Sequence, residues 1–157
     1  MSYLLNIETA TKNCSVSLSK SGKLLALKEV NTGGFSHAEQ LHVFLADILQ
    51  ESQLTFKDLS AVAVGRGPGS YTGLRIGVSA AKGLCYALEI PMIALETLTI
   101  LAHAISISEG VLVPMLDARR SEVYSAVFDS SYQQIRATEA QIVEGHSFGE
   151  ALDNGPV

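Results

Sequence analysis

The chain has 157 residues, 47% hydrophobic and 17% charged, a balance that suits a globular protein of one large or two small domains and excludes a disordered one. Its 11 Lys and Arg against 16 Asp and Glu give a formal charge of -5, the wrong sign for a protein that grips nucleic-acid phosphates by itself. Cys14 and Cys85 match no metal spacing and read as buried small hydrophobes in a reducing cytoplasm.

Met1 to Glu8 lacks a basic start and a long apolar stretch, so it does not read as a secretion signal. No apolar run approaches the ~20 residues that span a membrane. Leu4-Leu5-Asn6-Ile7 predicts a first strand ending at Glu8-Thr9-Ala10, and Cys14 to Ser19 alternates with period two as a second. Lys20-Ser21-Gly22-Lys23 predicts a hairpin turn into a third strand, Leu24 to Val30. Ser36 and Glu39 form a capping box for a helix, whose Leu41, Phe44, Leu45, Ile48 and Leu49 make one apolar stripe. His37 and His42 are five apart on that helix and project from different faces, so no metal pair is expected.

Ala61 to Val64 reads as a fourth strand, Thr72 to Leu88 as a second helix, and Pro91 to Glu96 as a buried fifth strand. Thr97 caps a helix through about Ile105, and Val111 to Leu116 begins another strand. This β-β-β-α-β-α-β-α order predicts a mixed five-stranded sheet with helices on its faces. Past Gly110 the opening repeats faintly: Val113 to Asp117 ends in a carboxylate as Leu4 to Glu8 does, and a polar turn leads into the alternating strand Glu122 to Phe128.

Between the fourth strand and the second helix lies the glycine-rich loop Arg66-Gly67-Pro68-Gly69-Ser70-Tyr71-Thr72. Ser70 is its N-cap. The loop fits neither G-x-x-x-x-G-K-[ST], because Gly73 precedes Leu74, nor G-x-G-x-x-G. No G-x-S-x-G frame makes Ser70 a nucleophile, and nothing matches H-E-x-x-H. A structural turn and a ligand loop both stay open. On the helix, Gly73, Gly77, Ala80 and Ala81 make a small-residue surface, and each helical glycine costs about 1 kcal/mol against alanine. The chain's own sheet or a closely approaching partner helix would offset that cost.

Three motifs in order, Ile7-Glu8-Thr9-Ala10, Gly67 to Gly77 and Asp117-Ala118-Arg119-Arg120-Ser121-Glu122-Val123-Tyr124, resemble the TsaB (YeaZ) family. That family is the accessory B subunit of the bacterial machinery that makes threonylcarbamoyladenosine in tRNA. The resemblance covers nearly the whole chain. It implies an α/β fold of the actin-like ATPase superfamily, with a ribonuclease-H-like β-β-β-α-β-α-β-α lobe over 1-108 and a truncated second lobe over 109-157.

The resemblance further implies a non-catalytic, cytoplasmic scaffold. Its partners would be the catalytic paralogue, which modifies the adenosine beside the anticodon, and an associated ATPase subunit. tRNA would be met only through that complex, with a homodimer forming when the chain is alone and no membrane involved. The dimerisation helices map to His37–Glu51 and Thr72–Leu88, making Leu41, Leu45, Ile48, Gly73, Ile76, Gly77 and Ala80 the expected partner interface. The Gly67–Gly69 region would shape the edge of that assembly. No resident cofactor or metal is expected. The alternative is an autonomous ATPase or small-molecule kinase with Glu8 and Asp117 holding magnesium; Glu8-Thr9-Ala10 lacks the glycine of the superfamily's Asp-x-Gly, so ATP or ADP with magnesium would enter only weakly or at a partner interface.

Overall fold

The structure, a computed structural model, describes residues 2–31, 37–145, 147–149 and 151, with His37 as backbone only. The expected Ser36 cap, the loop over 32–35 and the segment over 152–157 lie outside the described residues. The chain divides into two compact units, Met1–Leu95 and Glu96–Val157. The division falls at Leu95 rather than after residue 108, because Leu98 and Ala102 pack into the second unit's core with Leu112, Ala126 and Phe128.

In the first unit, β1 (Tyr3–Glu8), β2 (Cys14–Lys20), β3 (Lys23–Val30), β4 (Leu59–Gly65) and β5 (Met92–Leu95) form one sheet in the order β3-β2-β1-β4-β5. The β1–β2 and β2–β3 pairs are antiparallel, as the two short turns require. The β1–β4 and β4–β5 pairs are parallel. They are reached through α1 (His37–Glu51) and α2 (Tyr71–Leu88), the long crossovers that a parallel pair needs. Alternation decides which side chains go inward. Leu5 and Ile7, Val16 and Leu18, and Val62 and Val64 project from one face and pack with Leu41, Leu45 and Ile48 of α1 and Ala81 of α2. Both helices therefore cover the same face of the sheet.

Two expectations change here. The fifth strand was expected to be buried, yet Met92, Ile93 and Leu95 are 37 to 41% exposed, because β5 is an edge strand with no strand beyond it among the described residues. The third helix, α3, ends early, at Thr97–Ala102.

In the second unit, Val113-Pro114 splits the expected strand into β6 (Val111–Leu112) and β7 (Met115–Arg119). Proline has no N–H for a ladder. Both pair with β8 (Glu122–Asp129), which also pairs with β9 (Gln134–Ile142). The consecutive antiparallel run β7-β8-β9 repeats the arrangement of β1-β2-β3. No helix among the described residues is long and apolar enough to cross a membrane.

Candidate functional site

The end of β1 and the start of α2 are built against each other. Ser70 caps α2, its hydroxyl accepting from the Gly73 N–H at 3.3 Å, and its own N–H donates to the Ala10 carbonyl at 2.6 Å. Thr9 is buried and its Oγ1 donates to the Gly73 carbonyl at 2.8 Å. Glycine is required at 73 and 77 by this approach: a Cβ at Gly73 would collide with the Thr9 carbonyl oxygen, and one at Gly77 with the Thr9 hydroxyl. The glycine pair seats Thr9, and through it locks the β1–β2 turn to α2.

Glu8 is used in the same place. Its Oε1 accepts from the Ala10 N–H at 2.6 Å, while its buried Oε2, which has no hydrogen-bond partner among the described residues, lies against Gly65. Burial pushes the carboxyl above its ordinary pKa, more strongly than the Ala10 and Thr9 backbone bonds pull it down. Asp117, within β7 just before its register shift, does the same local work: its Oδ1 accepts from the Arg119 N–H at 2.8 Å. Each carboxylate thus fixes the turn two residues on, in its own unit. Among the described residues no three His, Cys, Asp or Glu side chains gather as a metal-holding group.

The other side of α2 is open. A groove of about 730 Å³ runs between α1, which contributes Ala38, His42 and Leu45, and α2, which contributes Thr72, Arg75, Ile76, Ser79, Ala80, Gly83 and Leu84. Phe56, from a 3-10 turn over Phe56–Asp58, lines it too. At about 100° per residue, Gly73, Gly77 and Ala81 share one stripe of α2, whereas Ile76, Ala80 and Gly83 share another. The first stripe is buried; the second faces the groove. Gly83 is exposed and a Cβ there would meet nothing within 4 Å, so nothing among the described residues of this unit asks for a glycine.

The comparisons with known proteins fit this architecture. A family model described as "TsaD: tRNA N6-adenosine threonylcarbamoyltransferase" matches residues 32–153. The tRNA threonylcarbamoyladenosine biosynthesis protein TsaB of Escherichia coli (strain K12) is 39% identical over 127 residues, covering 80% of this chain and 54% of that one. Its namesake in Bacillus subtilis (strain 168) is 32% identical over 125 residues, again 80% and 54%. The structure of YeaZ from Pseudomonas aeruginosa superposes with a TM-score of 0.76 at 31% identity, over 91% of this chain and 68% of that chain. The chain belongs to the TsaB (YeaZ) family. It spans about half the length of the curated relatives it matches. The ethanolamine utilization protein EutJ from Carboxydothermus hydrogenoformans, with a TM-score of 0.50 at 16% identity, shares the fold alone.

For this TsaB-family chain the expected interface is corrected in part. Leu45, Ile76 and Ala80 line the groove. Leu41 and Ile48 are wholly buried in the core, and Gly73 and Gly77 are buried against Thr9, so none of these four presents surface to a partner. The loop divides similarly. Gly69 lies against Ala10, the Arg66 N–H donates to the Leu95 carbonyl at 2.8 Å, and Gly67 holds a φ of +108°, all structural duties. Tyr71 is exposed, and Thr72 reaches the groove. Sequence reasoning does not single out Gly83 or Ser79, and it weighs His42 only as a metal ligand. Gly83 was discoverable: six residues beyond Gly77 is about 240° around the helix, away from the glycine pair.

Proposed function

We propose that this chain is a docking subunit in the biosynthesis of threonylcarbamoyladenosine in tRNA, and that the α1–α2 groove receives two helices of the catalytic threonylcarbamoyltransferase that shares its fold. The observation that carries this reading is Gly83. A glycine within a helix costs about 1 kcal/mol against alanine, and here it borders an open apolar groove where no neighbour among the described residues needs the space. A partner helix approaching closer than the ordinary 8–10 Å supplies the reason. The family relationship supports the choice of process.

The same reading makes the subunit non-catalytic and cytoplasmic, with an ATPase subunit and tRNA joining through the complex. A homodimer on the same groove is the stand-in when the transferase is absent. It assigns no resident nucleotide or magnesium to this chain. In support, Glu8 and Asp117 are each turned onto their own backbone.

Sedimentation velocity of the chain alone and mixed with the transferase of the same cell tests the proposal. A mixed species that displaces any homodimer is the expected result. Gly83→Leu should abolish it while leaving the circular dichroism unchanged. A mixed species of undiminished affinity in folded Gly83→Leu would place the interface elsewhere.

A further inference from the structure

The groove holds a cation, Arg75. Among the described residues its ionisable lining side chains are Arg75 and His42, and no Asp or Glu lines it, although the chain as a whole has a formal charge of -5. Arg75 is exposed, and its guanidinium lies 5.3 Å above the Tyr71 ring. Among the described residues no carboxylate is ion-paired with it. Its own helix offers it the Tyr71 ring but no carboxylate: Arg75 stands early in α2, near the positive end of the helix dipole, and the first turn of that helix holds no acidic residue.

Position connects this charge to the groove's shape. Arg75, Ser79 and Gly83 follow one another at four-residue spacing, one stripe whose two small members let a foreign backbone come close and whose first member is a long cation. We infer that Arg75 is the residue by which the groove chooses its partner: the docked helix is apolar and small-sided along the contact and presents an Asp or Glu to the Arg75 guanidinium. The bidentate donor geometry of arginine suits that pairing, and displacement of water by the apolar walls strengthens it. A second copy of this chain fits the shape but brings another arginine from its own groove and, among the described residues, no lining carboxylate. The charge therefore favours the heterotypic pair over the homodimer.

This inference rests on the docking role proposed above, and three variants separate the two. The transferase is titrated into wild type, Arg75→Glu, Arg75→Lys and Gly83→Leu at low and high salt, each variant first verified as folded by circular dichroism. Arg75→Glu should weaken association roughly 30-fold or more, Arg75→Lys less, and the wild-type affinity should fall with salt more steeply than that of Arg75→Glu. A charge-reversal scan of the transferase's helical Asp and Glu residues should find one Lys variant that restores binding to Arg75→Glu. If Arg75→Glu binds as wild type while Gly83→Leu does not, the arginine assignment is overturned and the groove stands. If both bind as wild type, the docking role falls with it. Self-association of the wild type as tight as its binding to the transferase would also overturn the charge argument.

Discussion

An alanine scan along α2 separates glycines that seat the chain's own backbone from the glycine that faces outward. At Gly73 an alanine Cβ would fall inside the contact distance of the Thr9 carbonyl oxygen and 3.3 Å from its carbon. A backbone atom cannot rotate away, so Thr9 must move and the hydrogen bond from its Oγ1 to the Gly73 carbonyl, 2.8 Å and buried, is broken. Overpacking costs about 1–3 kcal/mol. Two buried polar groups left without each other cost about 1–3 kcal/mol more. The better helix propensity of alanine offsets about 1 kcal/mol. Gly73→Ala should therefore lose about 3 kcal/mol. At Gly83 the clash and the broken bond are absent, and Gly83→Ala should gain about 1 kcal/mol from propensity alone. Urea unfolding followed by far-ultraviolet circular dichroism, with unchanged m values, reads both. Gly73→Ala as stable as wild type would refute the packing argument, and a destabilised Gly83→Ala would refute the open face.

Three further outcomes follow from the same contacts. Burial raises the Glu8 carboxyl, so its ionisation works against folding. Wild-type stability should fall as pH rises from the unfolded-state pKa through the raised folded value, and Glu8→Gln should lack that fall. Thermal midpoints of the pair should converge near pH 4 and separate by pH 8, with the variant higher; parallel curves would contradict it. Ser70→Ala removes the cap on the Gly73 N–H and should cost about 1 kcal/mol in urea without changing transferase affinity, whereas a catalytic serine would show in product formation. Gly77→Leu, which sequence reasoning would choose as an interface probe, should instead unfold the first unit, because its side chain would displace the buried Thr9.

Much of this protein is determined locally. Alternation in Cys14 to Ser19, the stripe from Leu41 to Leu49 and the cap at Ser70 each state a secondary structure through the side chains' own period, and each element forms where expected. The paired motifs at Glu8-Thr9-Ala10 and Gly69 to Gly77 mark the region that the fold joins. β9 was not legible: Gln134 to Ile142 is largely polar, and its pairing is supplied by β8 rather than by an apolar face of its own.

What only the tertiary structure decided is the partner of each face. Periodicity shows that one stripe of a helix is apolar or small, but it contains no information about whether the surface opposite belongs to the same chain. Thr9, 64 residues before Gly73 in sequence, answers that question for one stripe of α2, while beside Gly83 the described residues leave open space. The same holds for Glu8 and Asp117. Their residue type admits a magnesium ligand, whereas the N–H two residues on, reached only once the turn has formed, gives each carboxylate a structural duty.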